Sequence, residues 1–438
     1  MNTAAYTDLL KEMKRELKTS VGCTEPAAVA LACAAARSFI DDKLRSIHIR
    51  VSKDVFKNGF TVGIPGTPYK GLLIAAAMGF CCGNPDDGLE VLKSADASCL
   101  KQAEEIASSG VITVDIDHHR QGVFIHAEIK TEGHTAEVFI EHEHDRITSM
   151  ILDGTVVHSD PIENQDLKKQ GSVFDRVSAK DLYDFAVTAD IEDIAFVYNS
   201  VHLNLNASQE GLQGTWGLNV GEMLQQLNTS SAEPSDHLLD MPRITKAAAL
   251  AASASDARMS GCSAAVMINS GSGNQGITAT LPVYSIAQDI NSDMQNTIRA
   301  LTISHLYSLY HKHFLDRISA FCGVVTAAVG AGCGVTYLLG GAFEEIEYTI
   351  HTALGGISGM ICDGAKSSCA LKIALAVNNA LFASALSLQG RRIPPGEGIV
   401  FQHADETIRN IGKVAREGMR TTDDVIVSVM LNGQHRRS

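Results

Sequence analysis

The sequence predicts an α+β chain, with an N-terminal α/β region carrying an antiparallel meander over 1–170 and a large all-α region over 171–438. Three observations predict it. Four runs of alternating hydrophobicity crowd into 110–152. From about Ala179 to Asn432 the apolar spacing is helical, punctuated by Gly, Asn and Ser. Between the two, Asn164 to Gly171 is polar and without periodicity, which marks a boundary.

The elements follow in order. Leu and Met recur at helical spacing over 6–18. Pro26 suits the first turn of a helix over Ala27–Phe39, with Thr24 as its N-cap. Cys23 then lies just before a helix N-terminus, where the dipole lowers a thiol pKa. Ser46–Ser52 alternates as a strand. The segment Lys57–Thr67 is rich in turn residues and leads into an Ala-rich helix, Gly71–Gly79. The runs Gly110–Asp117, Gly122–Thr131, His134–His142 and Arg146–Leu152, separated by turn signals, form the expected meander with one solvated face.

Composition excludes several classes. The chain has 438 residues, enough for two or three domains, and 45% of them are hydrophobic. Only 5% are aromatic while Ala and Gly abound, which favours closely packed helices with small contact residues. The net charge of -14, with no basic run beyond the short Arg436-Arg437, argues against nucleic acid and against an anionic membrane as partners. Met1–Thr19 mixes charged and apolar residues, unlike a signal peptide, and the apolar stretches are too short or interrupted for a membrane span. Ten cysteines without a secretion signal point to the cytoplasm and to thiols without disulfides. A small-molecule partner and a homo-oligomer, with a dimer as the prior, are expected for a chain of this kind.

Three cysteines sit among glycines and small residues in a way that packing does not require. They are Cys23 in Gly22-Cys23-Thr24-Glu25-Pro26, Cys322 in Phe321-Cys322-Gly323, and Cys362 in Cys362-Asp363-Gly364-Ala365-Lys366. Thiolates are the preferred ligands of iron–sulfur clusters, and three of them on a four-iron cluster leave one iron open as a Lewis acid. Most other cysteines read as core residues: Cys33, Cys99 and Cys262, with the adjacent Cys81 and Cys82 lacking a second pair for zinc. Cys333, in Gly332-Cys333-Gly334, competes with Cys322 as a ligand. Cys369 is a ligand or a bystander.

The loop Asn269-Ser270-Gly271-Ser272-Gly273-Asn274-Gln275-Gly276 exposes successive N–H groups before a helix. A substrate carboxylate fits it, with Ser270, Ser272 and Asn274 as side-chain partners; the alternative is a tight interhelical turn. No Lys-Ser or Lys-Thr pair follows, so it is not a P-loop. It is similar to the carboxylate-binding Ser-Gly-Asn-x-Gly loop of pyridoxal-phosphate dehydratases, although no Schiff-base lysine segment precedes it. Asn58 and Thr67, in Lys57-Asn58-Gly59 and Gly63-Ile64-Pro65-Gly66-Thr67, are candidate hydrogen-bond donors to substrate or plain turn residues. Arg258 is a candidate carboxylate clamp. The histidines His118, His119, His142 and His144 read as solvated strand ends, and His305, His311 and His313 as residues of a surface helix. His351 reaches the site only if its helix bends.

These motifs, with Ala257-Arg258-Met259-Ser260-Gly261, carry a resemblance that spans residues 20 to about 372. The C-terminal half resembles the α-domain of bacterial iron–sulfur L-serine dehydratases, and the whole chain looks more like the L-cysteine desulfidases that share it. The resemblance implies a large serine-dehydratase-α-like helical domain and an oxygen-sensitive [4Fe-4S] cluster on Cys23, Cys322 and Cys362. It also implies conversion of L-cysteine to pyruvate, ammonia and hydrogen sulfide. Lys366, close behind Cys362, is then the candidate base, with Asp363 orienting the loop. An iron–sulfur L-serine deaminase and a non-catalytic amino-acid or metal-binding protein are the alternatives.

Overall fold

The computed structural model describes residues 3–160, 171–228, 239–315 and 319–434. Of the expected boundary at 164–171, all but Gly171 lies outside them, as does Arg436-Arg437. The chain is α+β, with one six-stranded sheet in its N-terminal part and helices through the rest.

In the N-terminal part the helices are α1 (Thr3–Glu16), α2 (Thr24–Arg37), α3 (Lys53–Gly59), α4 (Leu72–Cys82) and α5 (Ala97–Ser108). Strand β1 is Thr19–Val21, β2 Leu44–Ser52, β3 Ile112–Asp117, β4 Phe124–Thr131, β5 Thr135–Glu141, β6 Ile147–Leu152 and β7 Thr155–Ser159. The sheet order is β3-β2-β4-β5-β6-β7. The expected pure meander is therefore corrected at one edge. Between β2 and β3 the chain makes a crossover through α3, α4 and α5, and a crossover of that kind returns a strand parallel to its neighbour. Hence Ile49 faces Val114 in parallel register and Ala127 of β4 in antiparallel register. Short turns join β4 to β7, which pair antiparallel. Strand β7 was not expected; it is a largely exposed edge strand.

The sheet buries Ile47, Ile49, Val51, Ile125, Ala127, Ile129 and Val138 against α2 and α4. Helix α2 is alanine-rich and buried from Thr24 to Ala36. Its small side chains let α4 approach closely, and a Cβ at Gly79 would collide with the backbone of Ala30. Cys82 and Cys99, at the facing ends of α4 and α5, are joined as a disulfide with Cα atoms 6.0 Å apart. This corrects the expectation of thiols only: the packing of α4 on α5 brings together two cysteines that sequence spacing does not pair.

The helical part comprises α6 (Ala179–Thr188), α7 (Ile191–Ile194), α8 (Asn199–Gln213), α9 (Val220–Asn228), α10 (Met241–Met259), α11 (Gly273–Asp289), α12 (Met294–His313), α13 (Gly323–Leu338), α14 (Phe343–Gly356), α15 (Ser368–Ser387), α16 (Ala404–Lys413) and α17 (Thr422–Gln434), with β8 (Ala265–Met267) before α11. The α12–α13 pair sits at the centre, both helices almost wholly buried. His305 and His311 of α12 are 0% and 2% exposed, which corrects their assignment to a surface helix. Helix α12 is buried by neighbours on all sides, so it lacks the polar stripe that marks a surface helix.

Both chain ends cross over. Leu9, Met13 and Leu17, in and just after α1, join the helical core, whereas Val427 of α17 joins the core beneath the sheet. Strand β1 pairs antiparallel with β8, Ser20 opposite Val266. That pairing brings the Cys23 segment beside the Asn269–Gly276 loop. Among the described residues one helix, α15, is long and apolar enough to cross a membrane, and half of the window that qualifies is buried inside the fold.

Candidate active site

A cavity of about 100 Å³ lies where the two cores meet. Four helix N-termini open onto it, each for a local reason. Cys23 is the N-cap of α2, and Pro26 occupies the first turn, where its missing N–H is no loss. Cys322 is the N-cap of α13. The loop before α11 turns through Ser270 and Gly271, both at positive φ. Cys369 lies in the first turn of α15. Each N-terminus presents unpaired N–H groups and roughly half a positive charge, so the cavity favours anions.

Cys23, Cys322 and Cys362 all line this cavity, with Cys369 beside them. Cys322 and Cys362 are held side by side by a short backbone bridge. The Cys322 N–H donates to Met360 O at 3.0 Å and the Cys362 N–H to Ala320 O at 2.7 Å. Burial pushes the Cys23 thiol up to about 12, against the lowering influence of Arg258. Burial, then the neighbouring Cys362 and Cys369, pushes Cys322 up to about 12. The expected lowering of Cys23 by the helix dipole is thus outweighed by desolvation of the thiolate. Cys333 is buried within α13 and absent from the cavity wall. Among the described residues no trio of His, Cys, Asp or Glu is gathered closely enough to hold a single metal ion.

Of the expected substrate contacts, Asn58, Arg258, Ser270, Ser272 and Asn274 line the cavity. Arg258 is 3% exposed. Its Nε donates to Gly22 O at 3.0 Å and its Nη1 to Asn274 Oδ1 at 3.2 Å, tying the Cys23 turn to α11. Gly273 has no room for a side chain, since a Cβ there would strike the Arg258 guanidinium. Asn269 Nδ2 donates to His305 Nδ1 at 3.1 Å and to His305 O at 3.3 Å, so α12 braces the loop from below. Thr67 lies elsewhere: its hydroxyl donates to Ile64 O and accepts from the Tyr69 N–H, a turn role. Lys366 and Asp363 are also off the cavity wall. Lys366 Nζ pairs with Asp363 Oδ2 at 2.5 Å, and Lys372 Nζ pairs with the other oxygen of the same carboxylate.

Several residues that the sequence did not single out complete the wall. Asn58 Nδ2 donates to Glu25 Oε1 at 2.9 Å. Thr24 Oγ1 bonds Glu25 Oε2 at 3.2 Å and Gly271 O at 3.1 Å. Burial alone raises the Glu25 pKa, but contact with His144 and the Asn58 bond outweigh it and hold the carboxyl down at about 2. His144, expected to be solvated, is 4% exposed, because the turn between β5 and β6 folds inward over the cavity. Its Nε2 and the Oε1 of Gln275 are buried atoms without a hydrogen-bond partner, both on side chains of the cavity wall. Gln275 Oε1 is thus open to a donor on a bound group, whereas His144 Nε2 faces Glu25 Oε1 across 3.7 Å. The sequence held one available signal: Gln275 belongs to the glycine-rich loop. His144 had none, because a turn histidine is ordinarily solvated.

The comparisons with known proteins agree with this architecture. The family model for the serine dehydratase alpha chain matches residues 86–428. A UPF0597 protein of Aeromonas hydrophila is 37% identical over 428 residues, covering 98% of this chain and 96% of the relative. UPF0597 proteins of Oleidesulfovibrio alaskensis and Porphyromonas gingivalis are 38% and 36% identical, each across 98% of this chain. The fold and the match define a serine dehydratase alpha-like protein. This chain belongs to that family and, within it, groups with the UPF0597 proteins.

Proposed function

We propose that the protein is a carbon–sulfur lyase that eliminates hydrogen sulfide from L-cysteine, leaving pyruvate and ammonia, and that Cys23, Cys322 and Cys362 hold a [4Fe-4S] cluster. The observation that carries this reading is the convergence on one cavity, ringed by helix N-termini, of Cys23 from the N-terminal part with Cys322 and Cys362 from the helical part. The donor set suits the group: a four-iron cluster places each thiolate on a separate iron, so its ligands line a cavity instead of closing on one ion. When bound, such a cluster supplies an iron without a protein ligand, a Lewis acid for the leaving sulfur.

The chain's own residues then divide the work. Amide groups at the start of α11, with Ser270, Ser272 and Asn274, take the substrate carboxylate. Gln275 Oε1 accepts from the substrate ammonium. The His144 imidazole removes the Cα proton, and the Glu25 carboxylate, 3.7 Å from its Nε2, stabilises the charged form. As that proton leaves, its electron pair forms the Cα–Cβ double bond and the Cβ–S bond breaks. The aminoacrylate takes up water and yields pyruvate and ammonia. This reading replaces Lys366 with His144 as base, because Lys366 is committed to Asp363 away from the cavity. The reading goes with a reducing compartment, the cytoplasm, where cluster thiols stay reduced; the Cys82–Cys99 disulfide runs against that placement.

A second reading, dehydration of L-serine, is favoured by the name of the matched family. Thiolate is the better leaving group, which favours cysteine. The test is product formation by anaerobically reconstituted enzyme supplied with each amino acid. Sulfide and pyruvate in equal amounts from L-cysteine support the proposal. Pyruvate from L-serine with no sulfide from L-cysteine replaces it with the second reading.

A further inference from the structure

Each of the three cavity thiols is matched by a cation anchored from behind. Arg258 acts on Cys23 and is fixed by Gly22 O and Asn274. Lys372 acts on Cys322 and Cys362 and is fixed by Asp363 and by Ile361 O at 2.9 Å. The third is Lys57, which packs by its backbone carbonyl against Gly364, two positions after Cys362.

Lys57 is unusual. Its side chain is 0% exposed, and an ammonium is strongly penalised there unless paired. Its partner is Asp423, from the first turn of the C-terminal helix α17. One turn earlier in α3, Lys53 Nζ bonds the adjacent Asp424 at 2.7 Å, so two ion pairs fasten α17 to α3. On its other side α3 seats the Cys362 turn. Gly364 has φ 93°, and any side chain there would collide with the Lys57 carbonyl. The lysine therefore touches the ligand turn through its backbone and the C-terminal helix through its ammonium.

We infer that Lys57 is a positioning residue for the Cys362 corner of the cluster site, and that α17, through Asp423, is the element that holds its charge there. The inference rests on the cluster reading above. Three thiolates bring negative charge into a buried cavity, and an ammonium on the residue that seats the Cys362 turn, itself off the cavity wall, offsets part of it. The C-terminal helix becomes part of the site, although it lies far from the cysteines in sequence and does not line the cavity.

The experiment compares full-length wild type with Lys57→Met, Lys57→Arg and Asp423→Asn, each reconstituted anaerobically. The readouts are bound iron, the first-order rate of iron release to a chelator, and the thermal midpoint. Lys57→Met should release iron about tenfold faster, the scale set by losing one buried charge interaction of about 1.4 kcal/mol. Lys57→Arg should stay within about twofold of wild type, and Asp423→Asn should fall between. A merely structural lysine would alter the thermal midpoint and leave the release rate of the folded fraction unchanged. Wild-type release rates in folded Lys57→Met, or equal lability of the Arg and Met variants, overturn the inference while the cluster reading stands. If Lys57→Met does not fold, Asp423→Asn decides on the same rate. Wild type that takes up no iron overturns the reading and the inference together.

Discussion

His144 Nε2 stands 3.7 Å from Glu25 Oε1, both side chains nearly buried, at the wall of the cavity that gathers the cysteines. One comes from the turn after β5 and the other from the first turn of α2, so the sheet part supplies this pair, whereas Cys322 and Cys362 come from the helical part. His144→Gln should lower turnover at least a hundredfold, the usual contribution of a positioned base, while bound iron remains at the wild-type level. Anaerobic sulfide release together with iron content checks this. Turnover within tenfold of wild type removes His144 from the role.

Replacing Cys23, Cys322 or Cys362 by Ser should each abolish stable iron binding. Cys333→Ser and Cys33→Ser should leave iron unchanged, as both thiols are buried in helices away from the cavity. Cys369→Ser should also keep iron, since its Sγ donates to Gly364 O at 3.8 Å and a serine hydroxyl preserves a donor there. Iron analysis of the six variants separates ligands from bystanders.

Lys366→Ala should retain turnover within about tenfold, because its ammonium lies outside the cavity and Lys372 still pairs with Asp363. Gly273→Ala should be the more damaging change. The added methyl displaces Arg258 from Gly22 O and Asn274, with a stability loss of about 1–3 kcal/mol for overpacking and a raised KM. Steady-state kinetics and thermal melts on the two variants test the ordering.

Acid sensitivity follows from the buried histidines. Burial holds His305 at about 3 and His311 at about 4. Both stay neutral in the folded protein near pH 5 but bind a proton on unfolding below about pH 6.5. The unfolded state then binds more protons, so stability falls as pH drops below about 6.5, by up to about 1.4 kcal/mol per pH unit for each histidine. The loss from each ends near its folded value. Glu25, held at about 2, adds a further loss in the same direction between about pH 4.5 and 2. Thermal melts from pH 7.5 to 5 should show a falling midpoint, flattened in His311→Gln.

What was legible in the sequence was local chemistry. The three cysteines and the glycine-rich loop stood out as candidates because short motifs present ligands and N–H groups locally; Arg258 stood out as a carboxylate clamp, whereas its guanidinium bonds Gly22 O and Asn274 Oδ1. Pro26 marked a helix start that the fold uses, although the N-cap is Cys23, one residue before the expected Thr24. The residues that remained hidden are those whose role depends on a distant partner. Lys57 lay in a segment read as a turn, because Asn58-Gly59 carries turn signals, yet these residues end α3. Its pairing with Asp423 is set by how α17 docks, which no short-range pattern encodes. His144 and the parallel placement of β3 likewise depend on tertiary packing.

The most direct test of the central claim is the iron and acid-labile sulfide content of protein purified and reconstituted without oxygen. The account predicts about four of each per chain. Iron and sulfide near zero after careful reconstitution would contradict it.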